Sequence, residues 1–268
     1  MSVRPAAVAG MFYPANAGEL EAFILDALTE ASADLDRGDA SPKALIVPHA
    51  GYIYSGLTAA FAYAFIQPAA IKRVVLFGPA HRVPFYGIAL PDCDAFDTPL
   101  GQVRLDQEGM SDALKFPQVV LNAQAHAEEH SLEVQLPFLQ TVLNDFELIP
   151  LCVGMVEPEA VADVMRALWG GDETVVVISS DLSHFHIYEE ARVIDEKSVD
   201  AVLAKQSGLS HDQACGATAI NALQLIACEK NLTPQLLDYR NSGDTAGDKT
   251  RVVGYASLGY YEHRSGHG

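Results

Sequence analysis

Positive charge is scarce in this sequence: 17 basic residues stand against 35 acidic ones among 268, a formal net charge of −18. A chain with that balance repels a phosphate backbone unless a local basic patch outweighs the overall field, so nucleic acid is not an expected partner. Cysteine is sparse too. Cys93, Cys152, Cys215 and Cys228 are widely separated, form no C-x-x-C pair and follow no secretory signal, which argues against a disulfide framework and for reduced thiols in a cytoplasm. The opening "MSVRPAAVAGMFYP" lacks the charged-then-apolar layout of a signal peptide, and the most apolar stretch, "LTAAFAYAFIQPAAI", is interrupted by Gln67 and Pro68, so no membrane anchor is expected. Repeats and low-complexity tracts are missing. So are the glycine spacings of a dinucleotide fingerprint or a P-loop, which removes the case for a nucleotide cofactor.

What is present is apolar and ordered in a recognisable rhythm. Hydrophobic residues make up 49% of the chain, enough for one large core. Short β-rich runs are followed by longer segments of helical period: "ALIVP" then "SGLTAAFAYAFI", "RVVLFG", "FELIPLCVG" then "PEAVADVMRALW", "TVVVISS" then "YEEARVIDEKSVDAVLA". "CGATAINALQLIACEK" reads as a further helix and "TRVVGYASLGYYEH" as a closing strand. This alternation predicts an α/β fold with a mixed or mostly parallel central sheet and helices on both faces. A first helix, "AGELEAFILDALTEASADL", is expected to begin near Asn16 or Ala17. Residues 34–43, 91–102 and 241–250 are expected loops, none of them a domain boundary, so residues 1–268 are read as a single domain.

In open α/β sheets ligands bind beyond the carboxyl ends of strands. Three such ends carry histidine: His49 follows "ALIVP", His81 follows "RVVLFG", and "VVVISSDLSH" delivers Asp181 and His184. Each alone is an ordinary strand-end residue, but three on separate strands converge in this fold class and suggest a shared site. Two imidazoles and one anionic ligand would hold a metal with open positions. Cys215 is a candidate for the third, because it precedes a predicted helix whose dipole favours thiolate; a buried inert cysteine is the competing reading. Asp181 could orient His184 as a general acid/base. Tyr52 and Tyr54 either flank a pocket near His49 or simply pack.

Two hydrolase readings compete. Ser179 and Ser180 are nucleophile candidates, yet no G-x-S-x-G elbow surrounds them. "HAEEH", His126 to His130, matches an inverted zinc-peptidase motif if it lies on one helix. "SLEVQLPFLQTVL" is a good helix, but "NAQAHAEE" reads equally as its entry loop, with Glu129 or Ser131 as a cap. Glu129 and His130 are therefore better taken as groups that line the pocket or support its ligands.

Seven stretches, in order, carry a resemblance: "AGMFYP" (9–14), "PHAGYIYSG" (48–56), "LFGPAHR" (76–82), "EHSLEVQLPFL" (129–139), "SSDLSH" (179–184), "CGATAI" (215–220) and "VGYAS" (253–257). Together they resemble the Memo family, also called AmmeMemoRadiSam system protein B in bacteria and archaea. The resemblance implies a fold like that of class III extradiol dioxygenases, non-haem Fe(II) enzymes in which two histidines and a glutamate hold iron and another histidine is the acid/base. Carried onto this sequence, His49 and His81 would be the histidine ligands, Cys215 the third ligand, and His184 the acid/base with Asp181 beside it. A thiolate in place of a carboxylate admits Cu or Zn as well as Fe(II). The implied activity is a metal-dependent oxidoreductase acting on an unidentified small molecule, functionally linked to a radical SAM protein and an AMMECR-type protein. The alternative is a noncatalytic metal- or peptide-binding module, the mode in which animal members of the family are mainly known. A metallohydrolase built on "HAEEH" ranks third.

Overall fold

The computed structural model describes residues 2–33, 41–67 and 69–262. Its elements in chain order are β1 (Val3–Arg4), α1 (Ala17–Ser32), β2 (Ala44–Val47), α2 (Tyr52–Tyr63), β3 (Arg73–Pro79), β4 (Ile88–Leu90), β5 (Ala95–Thr98), β6 (Gly101–Arg104), α3 (Gln107–Ala113) and β7 (Val119–Leu121). They continue with α4 (Ala123–Ala127), α5 (His130–Glu133), α6 (Leu136–Val142), β8 (Glu147–Val153), α7 (Pro158–Ala167), β9 (Thr174–Ser179), β10 (His184–His186), α8 (Tyr188–Leu203), α9 (Ala217–Glu229), β11 (Thr233–Asn241) and β12 (Val252–Tyr261).

The four uninterrupted apolar runs become the centre of the sheet, since a strand buried on both faces has no polar side to alternate with. β2, β9, β3 and β8 lie side by side and parallel, and every position of β2 and β9 is buried. β12 adds antiparallel beyond β2, with β10 and β11 antiparallel to it. On the other flank β4 runs antiparallel to β8, and β7 parallel to β4. The expected mixed sheet is therefore present, nine-stranded among the described residues. The connection β2–α2–β3 crosses the sheet in one direction and β8–α7–β9 in the other. Crossovers of a single hand then put α2 and α7 on opposite faces. α1 and α6 pack with α2, while α3 and α9 pack with α7. α1 starts as expected, with the Asn16 side chain accepting the Glu19 amide at 3.1 Å, and it buries Leu20, Ile24, Ala27 and Ala31 along one stripe.

Two expectations fail. Residues 91–102 are not a loop: β5 and β6 form a hairpin, paired from Ala95↔Arg104 to Thr98↔Gly101, and β1 extends it into a three-stranded sheet. The acidic and Pro-Gly residues that read as loop belong to the short turn and to exposed strand positions, and Gly101 supplies the required φ of +113°. "SLEVQLPFLQTVL" is not one helix either, because α5 ends at Glu133 and a new segment starts at Leu136 with Pro137 in its first turn. The loop expected at 34–43 falls mostly on residues 34–40, outside the described ones.

The break between α5 and α6 leaves Glu133 fully buried, where it organises the start of the chain. Its carboxylate accepts from Arg4 Nη1 at 2.6 Å, the amides of Ala7 and Val8 at 2.8 and 2.9 Å, and the Tyr13 hydroxyl at 2.6 Å. Arg4 also donates to the carbonyls of His126 and Glu129, so neither buried charge lacks partners. Replacing Glu133 by alanine strands Arg4 and two amides in the interior. A loss of about 3–5 kcal/mol in urea unfolding is expected, against a smaller loss for Glu133→Gln; equal, sub-kilocalorie effects of both would show that the network contributes little.

Candidate metal centre

The carboxyl ends of β2, β3 and β9 lie next to one another, which is why His49, His81 and the loop 180–184 meet. His130, at the start of α5, comes to the same point. The ring centroids are 5.2 Å apart for His49 and His81, 5.4 Å for His49 and His130, and 4.6 Å for His81 and His130. One donor nitrogen from each of the three lies within 4.8 Å of the others.

Proton counting fixes which nitrogens are free. Ser179 Oγ sits 2.6 Å from the Ser131 carbonyl, which can only accept, so the single hydroxyl proton goes there. Gln135 Nε2 donates to the same oxygen at 2.8 Å, and its orientation is set by a second donation to the Pro48 carbonyl. The lone pair that remains on Ser179 must accept from His49 Nδ1, 2.8 Å away. His49 is therefore the Nδ1–H tautomer and presents a bare Nε2 to the site. Burial, reinforced by the neighbouring histidines, keeps its pKa well below the usual imidazole value, so the ring is neutral.

His81 is oriented by a carboxylate. Its Nδ1 and its backbone amide donate to Glu129 at 2.9 and 2.6 Å, leaving Nε2 free. Burial alone would raise the Glu129 carboxyl, but the hydrogen bonds from His81 and from the Ser131 amide outweigh it and hold the pKa at about 2. His130 stacks on Phe12 with centroids 4.5 Å apart. Its Nδ1 is buried without a hydrogen-bond partner, and burial followed by the charge of His81 lowers its pKa to about 4. Three imidazoles with available nitrogens, two of them held by outer hydrogen bonds, fit a divalent metal ion.

Cys215 lies on the other side of His49. Its Sγ is 3.4 Å from His49 Nε2 and accepts the Asp181 amide at 3.3 Å. Gly216 makes this approach feasible, since a Cβ there would stand 2.7 Å from Ser180 Cβ. The expected thiolate is not found: burial, then the nearby Asp181 carboxyl, push the thiol up to about 12, overriding the helix terminus. All four cysteines are free. Asp181 turns its Oδ1 to the His49 backbone amide at 2.7 Å, and burial raises its pKa while His184 acts on it through charge. His184 lines two cavities flanking the cluster, one of about 600 Å³ with Tyr54, His130 and Asp181, the other of about 620 Å³ with His81 and Cys215. Tyr54 is a cavity residue, whereas Tyr52 packs in the core and donates to the Val134 carbonyl.

The hydrolase readings lose their geometry. Ser179 gives its proton to a carbonyl, and Ser180 donates to the Asp181 carbonyl, so neither is activated by a base. His126 and His130 belong to separate short helices, α4 and α5, and His126 is buried against the Ala89 carbonyl at 2.9 Å.

A family model described as Memo-like protein matches residues 4–259. The chain belongs to the Memo-like family. Relatives include a MEMO1 family protein of Aquifex aeolicus, 38% identical over 273 residues and covering 96% of this chain and 99% of the relative. Another, from Archaeoglobus fulgidus, is 35% identical over 269 residues, with 94% and 97% covered. Among solved structures, the uncharacterized protein JW3007 from Escherichia coli K12 superposes with a TM-score of 0.53 at 12% identity, over 80% of this chain and 98% of that one. This likeness shows shared architecture, in keeping with the extradiol dioxygenase-like fold that Memo membership implies. Among the described residues of this Memo-like chain, no helix is long and apolar enough to cross a membrane.

Ser179→Ala removes the acceptor that fixes the His49 tautomer. Zn(II) affinity measured by competition with a chelating dye is expected to fall about 10–100-fold, with unchanged thermal stability of the metal-free protein; unaltered affinity would sink the proton assignment. His126 gives a separate check on acid stability. Burial lowers its pKa to about 4 in the fold, so the unfolded chain takes up the proton first. Stability is full above pH 6.5 and falls as pH drops toward 4, by roughly 3 kcal/mol in total from this group. His126→Gln should flatten that limb of a Tm-against-pH curve, and an unchanged limb would reject the assignment.

Proposed function

We propose that this protein is a metal-dependent oxidoreductase of the non-haem Fe(II) type, resembling class III extradiol dioxygenases and acting on a small organic substrate. The observation that carries the reading is the convergence of neutral imidazoles with free nitrogens at the carboxyl edge of the sheet, with His184 and Asp181 lining the adjoining cavity. His49 and His81 are the ligands common to any arrangement. The further donor is His130 from one side or the Cys215 sulfur from the other, the latter losing its proton as it binds. Imidazole donors suit Fe(II), Cu and Zn, and a thiolate would shift the preference toward the softer ions. A bound ferrous ion supplies Lewis acidity and a one-electron couple.

The chain's own residues do the rest. Ser179 and Glu129 hold two rings in register, Phe12 packs against the third, and His184 is the group that takes or gives a proton to a molecule in either cavity. Asp181 beside it biases its charge. The resemblance adds an expected cytoplasmic setting and a functional link to a radical SAM protein and an AMMECR-type protein. A second reading, a noncatalytic metal- or peptide-binding module, draws support from exposed Met11 and Phe185 at the cavity mouth.

Anaerobic Fe(II) titration followed by metal analysis tests the proposal. One equivalent is expected in the wild type and little in His49→Ala or His81→Ala, while comparison of His130→Ala with Cys215→Ser identifies the third donor. Absence of bound metal after titration would sink the metalloenzyme reading; stoichiometric iron without oxygen uptake on any catechol would leave the binding module.

A further inference from the structure

The cavity of about 600 Å³ beside the imidazoles extends away from them to a second polar end, at Arg251. Its middle is aromatic and apolar, with Phe12, Tyr54, Phe185, Val253 and Tyr255 on its walls. The Arg251 guanidinium lies 4.3 Å over the Phe185 ring, and among the described residues its side chain makes no ion pair or hydrogen bond. In a chain with 35 acidic residues that is an unusual condition for an arginine. The nearest acidic candidate on the same wall, Asp248, does not satisfy it, because Asp248 is turned to the amide and hydroxyl of Thr250. Stacking orients the planar fork and leaves its N–H edges free for a bidentate acceptor.

Phe185 is held in this position at a conformational cost. It is the bulged residue between His184↔Val253 and His186↔Val252, and its φ is +66°, a left-handed conformation that bulky side chains rarely adopt. Such strain persists only where neighbouring pairings impose it, and it concentrates at ligand clamps. Here it turns the ring toward Arg251 while keeping His184 at the cavity wall. Two independent features, an unpaired stacked guanidinium and a strained aromatic residue, thus address the same space.

We propose that this cavity takes a small aromatic carboxylate. The carboxylate lies on Arg251, the ring between Phe185 and the aromatic wall, and the opposite polar edge toward His130 and His184. The inference rests on the proposed metal-dependent reading and adds the ligand class to it. Arg251 is an anchoring residue and takes no part in proton transfer.

The experiment is equilibrium binding by calorimetry of 3,4-dihydroxybenzoate, its methyl ester and phenyl phosphate to the full chain, both metal-free and Zn(II)-loaded. Wild-type protein is expected to prefer the acid over the ester at least tenfold. That preference should collapse to near unity in Arg251→Gln, recover partly in Arg251→Lys, and leave metal stoichiometry untouched in both. Arg251 is exposed, so these variants should fold as the wild type does. Phe185→Leu should weaken the acid through lost stacking. No acid-over-ester preference in the wild type, or a preference that persists in Arg251→Gln, overturns the proposal, and tighter binding of phenyl phosphate than of the carboxylate overturns the assigned class. Because the acid-to-ester ratio is read with and without metal, loss of the metal reading and loss of this one give different results.

Discussion

The Ser179 hydroxyl has one proton and two lone pairs, and the fold uses all three. The proton joins β9 to the Ser131 carbonyl, one lone pair takes a Gln135 amide proton, and the other takes the Nδ1 proton of His49. One buried oxygen therefore ties the end of a central strand to the α5–α6 segment and sets the protonation pattern of the deepest imidazole. The neighbouring Ser131 extends the same network, giving its hydroxyl proton to Pro79 at the end of β3 and its amide to Glu129. In a low-dielectric interior an unpaired member of such a network is costly, so its parts hold one another in a single arrangement.

Around that network the scaffold acts in two layers. The parallel strands β2, β9, β3 and β8 bring three strand ends together without any special side-chain chemistry, because adjacency in the sheet already does so. The segment 4–13 then closes one side. Glu133 gathers Arg4, two amides and Tyr13, which sets Phe12 against His130 and lets the Phe12 carbonyl accept the Tyr52 amide at 2.7 Å. A buried ion pair of this kind is weak as a source of stability but specific as a clamp, since either charge alone would be expensive to leave in place.

Much of this was legible in the sequence. Continuous Val, Ile and Leu runs marked β2, β3, β8 and β9, and the residues that follow them marked His49, His81, Asp181 and His184. The short flanking strands were not, because β4 and β7 have three residues each and β11 carries Pro234 and a partly polar face appropriate to pairing on one edge only. His130 was legible as a pocket residue but not as a third converging imidazole, since it reaches the site from a helix start after a chain break at residues 128–129 that periodicity does not reveal. Ser179 attracted attention for the wrong property: as a nucleophile candidate it looked reactive, whereas its surroundings make it a fixed acceptor. The thiol state of Cys215 could not be read locally, because the helix terminus next to it is visible in sequence and the burial that outweighs it is not.

The position of β2 in the sheet has a consequence for how the protein comes into being. It is the first long strand to be synthesised, yet its two neighbours are β9 and β12, from residues 174–179 and 252–261. A growing chain carries His49, His81 and His130 long before it carries Ser179, Cys215 or Arg251. Until the distal third has left the ribosome, an unpaired hydrophobic strand and three unassembled imidazoles are exposed together, which makes early metal capture unproductive and the incomplete chain prone to self-association. Loading of the centre thus belongs to the finished polypeptide, and protection of β2 during synthesis is a task for the cell's chaperones.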